Sequence, residues 1–131
     1  MILLDTHAWI WWVTDPERLS PGATAAIERE IERGQILVSA ISCWELTLLV
    51  RKGRLALNLD AADWIAASEA LPYLRFAPVD HRIAMQANLL RGALHDDPAD
   101  RFLIATAIIL GATLVTRDER IRAYPHVTSL W

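Results

Sequence analysis

Residues 95–118, HDDPADRFLIATAIILGATLVTRD, contain one complete helix-to-strand unit. Asp97 has the short oxygen-bearing side chain favoured at a helix N-cap, and Pro98 suits the first helical position, where a backbone N–H has no partner. From Phe102 to Leu110 the chain is almost uniformly apolar, and Gly111 supplies the residue that closes a helix over Pro98 to Leu110. The run ATLVT, residues 112–116, then reads as a buried strand, with Asp118 just beyond it.

The same alternation extends outward to both ends of the chain. MILLD, residues 1–5, is a short buried strand ending at Asp5, and ILVSA, residues 36–40, is a second. Between them Ser20 and Pro21 open a helix with Ala23, Ala26, Ile27 and Ile31 on one face, closed by Gly34. Further helices are predicted from Ser42 to Lys52, ending at Gly53, from Asp60 to a point before Pro72, and from His81 to Arg91 behind the cap Asp80. Leu74 to Val79 and Val127 to Leu130 complete the set of strands. Strands joined through helices need crossover connections, so the predicted fold class is α/β, a parallel β-sheet with helices on both faces. With 131 residues, no internal repeat and no long linker, a single domain spanning 1–131 is expected.

Composition narrows the function. The formal net charge of −3 argues against holding a nucleic acid by bulk electrostatics alone. Cys43 is the one cysteine, so no intramolecular disulfide can form; its apolar neighbours suggest a buried, inert thiol in a reducing compartment, and the expected location is cytoplasmic. The N-terminal segment carries Asp5 and His7 within an apolar stretch too short to span a bilayer, and it has neither a basic lead nor a small-residue cleavage site, so neither signal peptide nor membrane helix is expected.

The heavy charge before the apolar helix, Asp96, Asp97 and Asp100, has a local explanation in capping and the helix dipole, and a second one in which carboxylates face a cation. In open parallel sheets, ligands bind outside the carboxyl ends of the strands. Asp5 and Asp118 follow two strands at that edge, while Glu45 and Asp100 lie near the N-termini of helices that a parallel sheet brings to it. Each has a modest alternative: Ser42 and Glu45 fit a capping box, Asp100 a dipole-favoured position, Asp118 a helix cap and Asp5 a turn. Gathered together, however, these four carboxylates repel, so they either titrate upward or need a counter-charge. A hard divalent cation with oxygen ligands, Mg²⁺ or Mn²⁺, meets that need, whereas no Cys or His spacing suits zinc. Asp96 and Asp97 are less well placed.

Around this set, His7 and His95 flank the expected site and are read as structural, and Thr6, Thr116 and Ser39 are candidates for supporting hydrogen bonds. The run AWIWW, residues 8–12, suits the core or a self-association face better than base stacking, because its aromatics cannot all point into one crevice. Arg51, Lys52 and Arg54 form a small basic patch that reads as a solvated helix end in preference to a phosphate contact, while Arg101 and Arg117 are candidates to steady the carboxylates or a substrate.

The blocks MILLDTHAWIWW, SAISCWEL, HDDPADRFLIATA and LVTRDERIRAYP resemble, in order and approximate spacing over nearly the whole chain, the PIN-domain ribonucleases, specifically the toxins of VapBC-type toxin–antitoxin modules. The resemblance implies a PIN-like three-layer sandwich and Mg²⁺- or Mn²⁺-dependent hydrolysis of RNA. It carries the acidic site onto Asp5, Glu45, Asp100 and Asp118, and implies a homodimer neutralised by a cognate antitoxin whose tail wraps the toxin. Within that scheme Glu45 or Asp118 is the candidate to orient or deprotonate water. Three rivals belong to other classes. A receiver-type domain would need a strand-end lysine, yet Lys52 lies in RKGR; a Mg²⁺-dependent phosphatase of the haloacid-dehalogenase type would need D-x-D, where His7 stands. A catalytically silent module using an acidic pocket to dock a basic peptide stays open at this stage.

Overall fold

The computed structural model describes residues Met1–Trp131. Its five strands form one all-parallel sheet in the order β3-β2-β1-β4-β5, with β1 at Ile2–Leu4, β2 at Ile36–Ser39, β3 at Leu74–Ala77, β4 at Thr113–Val115 and β5 at Ser129–Leu130. The helices are α1 (Thr6–Thr14), α2 (Pro21–Arg33), α3 (Ala40–Arg51), α4 (Ala61–Glu69), α5 (His81–Asn88), α6 (Pro98–Leu110) and α7 (Glu119–Arg122). The α/β expectation is therefore met, including helices on both faces.

Successive strand residues point to opposite faces, and the core divides accordingly. Ile2, Leu4, Ile36, Val38 and Val115 pack with Trp9 of α1, Ile27 of α2, Leu46 of α3 and Trp64 of α4. Their neighbours Leu3, Leu37 and Leu114 face the other way, against Leu103, Ile104 and Ala107 of α6 and Ile121 of α7. Beyond that layer, α5 lays Ile83 and Ala87 on Ala105 of α6. Because α6 is covered on both sides, its nearly unbroken apolar run is required rather than an amphipathic stripe.

Local signals set several boundaries. Ser20 and Asp80 accept from the N–H groups of Ala23 and Ile83 and so cap α2 and α5, and Gly111, at φ 67°, ends α6 in the left-handed conformation that L side chains rarely adopt. Three expectations change. A helix, α1, begins directly after Asp5 where only the strand was read. The helix α3 starts at Ala40 with Ser39 as its cap, so Ser42 lies inside it and cannot serve in a capping box with Glu45. The helix α5 stops at Asn88, short of Arg91.

The sheet order reverses at β1, which has β2 on one side and β4 on the other. In a parallel sheet that reversal opens a crevice at the carboxyl ends of the strands, because the following connections diverge to opposite faces.

The core also contains a buried polar pair, in which the Trp9 indole N–H donates to Ser68 Oγ at 3.2 Å. Ser68→Ala leaves that N–H without its partner, so we expect a loss of about 1–2 kcal/mol in urea unfolding with an unchanged denaturant slope. An unchanged midpoint would mean that the indole N–H is satisfied elsewhere.

Candidate active site

Asp5 follows the last residue of β1. Its N–H donates to Val115 O at 3.0 Å, its carbonyl accepts from Trp9 N at 3.0 Å, and its Oδ1 accepts from Ala8 N at 2.7 Å. One residue thus ends the central strand, bonds the neighbouring strand and caps α1. It is only 9% exposed, and burial pushes its carboxyl up to about 6, against the opposing pull of the Thr116 hydroxyl and the Ala8 N–H.

Glu45 projects from α3, and Thr6 Oγ1 donates to Ser42 Oγ at 2.8 Å, tying the start of α1 to the same helix. Burial raises the Glu45 carboxyl above its usual range, opposed by the Thr6 hydroxyl and His7 and reinforced by Asp100. Asp100 stands in the first turn of α6, where its N–H donates to Asp97 Oδ1 at 3.0 Å. Its Oδ2 lies 2.7 Å from His95 Nε2, which holds the carboxylate in one orientation. Burial again raises its pKa, countered by His95, with Asp97 and Asp118 adding to the rise.

Asp118 caps α7, with Oδ1 accepting from Arg120 N at 2.8 Å and Ile121 N at 3.3 Å. Burial acts to raise this carboxyl too, but the Arg120 side chain and the capping N–H groups outweigh it and hold Asp118 below its usual range. Arg120 Nη2 lies 3.2 Å from Asp118 Oδ2 and 3.8 Å from Asp100 Oδ2, so it spans two of the acids.

These four carboxylates line one crevice of about 480 Å³ at the switch point, with Asp97, Thr6, His7, Trp11, Arg117 and Arg120 around them. As the side chains stand, no three of the His, Cys, Asp and Glu groups are gathered closely enough to enclose a metal ion. The carboxylates bond backbone N–H groups, His95 and Arg120. The donor set, all carboxylate oxygen with hydroxyls behind it, fits a hard divalent cation, and the upward shifts of Asp5, Glu45 and Asp100 come first from burial, with the neighbouring carboxylates adding to them.

Several supporting residues differ from expectation. Arg101 does not line the crevice: its Nε donates to Ala87 O at 2.9 Å and its Nη1 to Leu94 O and His95 O at 3.4 and 3.3 Å, anchoring the loop before α6. Asp100 and Arg101 are consecutive on a helix and so face different directions. Ser39 is occupied as the cap of α3, whereas Thr116 accepts from Asp118 N at 3.0 Å directly behind the site. Asp96 is fully exposed and lies outside it. Cys43 is half-buried, with its thiol pushed up by burial and by Glu69, as an inert thiol should be. Arg51, Lys52 and Arg54 are exposed at the far end of α3. Sequence reasoning missed Arg120 and Trp11. The first could have been found from its position in the turn capped by Asp118; the second became legible only with α1 in place.

Fold and crevice together define a parallel α/β domain with an acidic pocket at the end of its central strand. The PIN domain family model matches residues 2–127, and the chain belongs to that family. It is 37% identical over 125 residues to Ribonuclease VapC22 of Mycobacterium tuberculosis, covering 95% of this chain and 92% of that protein. Among solved structures, VapBC2 from Rickettsia felis bound to a DNA fragment from their promoter has a TM-score of 0.74 at 18% identity, covering 99% of this chain and 98% of its own, a likeness of fold. FitAcB from Neisseria gonorrhoeae has a TM-score of 0.68 at 26% identity, covering 100% and 97%.

The raised Asp5 pKa makes stability depend on pH in the metal-free protein. Between its ordinary value of 3.8 and about 6, the folded state keeps a proton that the unfolded chain has released. The associated stability is therefore fully present below about pH 4 and lost as pH rises through 6; Glu45 and Asp100 act in the same sense, while Asp118 acts in the opposite one. Urea unfolding in chelator should lose free energy across that window, and Asp5→Asn should flatten the curve by up to about 3 kcal/mol. An identical pH profile for the variant would mean that Asp5 does not hold the proton.

Proposed function

We propose that the chain is a divalent-metal-dependent ribonuclease and the toxin of a VapBC-type toxin–antitoxin pair, with Asp5, Glu45, Asp100 and Asp118 as its metal-binding and catalytic carboxylates. The observation that carries this reading is their convergence from four separate segments on one crevice at the sheet's switch point. The 37% identity to a protein named as a ribonuclease supports the reaction class, and structural neighbours described as VapBC and toxin–antitoxin complexes support an antitoxin as partner. A single PIN-like unit over residues 1–131, homodimeric and cytoplasmic, completes the proposal; no helix is long and apolar enough to cross a membrane.

Asp5 and Asp100 are the primary ligands for Mg²⁺ or Mn²⁺, with Glu45 and Asp118 completing the acidic set. The cation would supply the charge that stabilises phosphoryl oxygens and would acidify water. The chain does the rest. Thr116 and the Ala8 N–H hold Asp5, and His95 holds Asp100, so each ligand is supported from behind, and the carboxylates would draw together around the cation when the site is loaded. Glu45 or Asp118 takes the proton of the attacking water as its oxygen bonds to phosphorus and the bond from phosphorus to the leaving ribose oxygen breaks.

The test is cleavage of single-stranded RNA by the purified chain with Mg²⁺ or Mn²⁺. Loss of a group that merely supports a metal ligand costs about 10–100-fold, so Asp5→Asn and Asp100→Asn should lose more than that with the fold intact by circular dichroism. Asp97→Asn should keep much of its activity, because asparagine caps a helix about as well as aspartate. Full turnover by either ligand variant would overturn the assignment, and an Asp97→Asn as inactive as Asp100→Asn would move Asp97 into the metal shell.

A further inference from the structure

An acidic protein that takes a polyanion into an acidic crevice needs cations beside it. Of the arginines at this edge, Arg101 is engaged with backbone carbonyls and Asp96, and Arg120 with Asp118 and Asp100. Arg18 and Arg117 are different. Both are exposed and neither enters an ion pair, yet both are oriented: their guanidinium carbons lie 4.9 and 5.7 Å from the ring centroid of Trp11. Trp11 is itself half-buried and held by Trp131, 5.9 Å away in an edge-on arrangement, and by His7 at 5.7 Å. Trp11, His7 and Arg117 line the same crevice as the four carboxylates.

An indole face orients a guanidinium without neutralising it, so the planar donor fork stays available to an anion. Two such groups are fixed on one ring, Arg117 in the crevice and Arg18 beside it, and their charge suits a phosphodiester strand, for which arginine is the bidentate partner of choice. We propose that Trp11, Arg18 and Arg117 form a phosphate subsite that holds the RNA strand by two phosphates, one to each arginine, neighbouring the one presented to the carboxylates. The subsite rests on the ribonuclease reading and deepens it. Its contacts are to the backbone, so it fixes the strand's position and is indifferent to base sequence.

The test measures binding separately from chemistry. In an Asp100→Asn background, affinity for a fluorescein-labelled single-stranded oligoribonucleotide of mixed sequence is followed by anisotropy with Mg²⁺ at several KCl concentrations. Arg18→Ala and Arg117→Ala should each weaken binding about tenfold and reduce the slope of log affinity against log salt by roughly 0.7, the share of one single-strand phosphate. Arg54→Ala, an exposed arginine at the far end of α3, should change neither. Trp11→Leu should weaken binding as far as the two arginine changes combined, and adding Arg18→Ala to it should cost little more, because one ring organises both. The two arginine variants carry the test should the tryptophan variant fail to fold. Unchanged affinity and salt slope in both would overturn the subsite, as would an Asp100→Asn protein that binds no RNA while the unaltered chain cleaves it. Absence of Mg²⁺- and Mn²⁺-dependent cleavage by the unaltered chain would instead bring down the ribonuclease reading itself.

Discussion

Asp5 is tied at three points: its N–H to Val115 of β4, its carbonyl to Trp9, and its carboxylate to the Ala8 N–H at the head of α1. A charge with so little exposure would ordinarily be excluded from this position, since desolvation disfavours the ionised form. It stays because the same residue closes the central strand and starts the helix that carries Trp9 into the core. The remaining carboxylates are arranged around that fixed point. Glu45 comes from the helix after β2, Asp100 from the helix before β4, and Asp118 from the turn after β4. The sheet order β3-β2-β1-β4-β5 brings those connections to one edge, so the topology is what makes an acidic crevice out of residues far apart in the chain.

Concentrating acids in this way has an energetic consequence that the surroundings reveal. Asp118 alone has a full complement of donors, two backbone N–H groups and the Arg120 guanidinium, and it alone is shifted below its ordinary range. Asp5, Glu45 and Asp100 have hydroxyls, one N–H or an imidazole, and burial prevails over these partners. The contrast follows burial and donors together: every capping opportunity at Asp5, Asp97 and Asp118 is taken, yet the more deeply buried carboxylates stay above their usual range while the more exposed Asp118 falls below it. A structural cluster could relieve the same repulsion with one more arginine. The arginine nearest Asp100 in sequence, Arg101, is directed away, to the carbonyls of Ala87, Leu94 and His95.

Legibility in the sequence followed from whether a signal was local. Strands β1, β2 and β4 and the helix α6 were readable because both faces of the sheet are covered, which demands continuous apolar runs, and because Gly34 and Gly111 end their helices at positive φ. The crevice was readable because four acids sit at strand ends or helix starts that a parallel sheet must gather. What escaped depended on direction around a helix. THAWIWWVT has no polar stripe, so nothing marked it as helical, and with α1 unrecognised the residues at 9, 11 and 12 could not be separated by face. In the structure Trp9 enters the core, Trp12 packs near Tyr73 and Trp11 turns to the crevice, so only one of the three lines it. Ser42 matched a capping pattern with Glu45, but Ser39 began the helix one turn earlier and freed Ser42 to bond Thr6.

That last exchange links the core to the chemistry. With Ser42 inside α3, the Thr6 hydroxyl donates to it and stands beside Glu45, so the residue immediately after Asp5 positions a second element of the site. Asp5 and Thr6 are consecutive, one capping α1 and the other joining α1 to α3, and both are buried. Any shift of α1 against the sheet would therefore move Asp5 and the surroundings of Glu45 together, and would carry Trp11, on the same helix, with them. Asp5, the surroundings of Glu45 and Trp11 thus share one support, α1, whose position is fixed by Trp9 packed against Trp64 and Phe76 on the far side of the helix. Packed interiors yield little to a local push, so the core beneath α1 places these three, while Asp100 is held by His95 from the loop before α6 and Asp118 by the turn that opens α7.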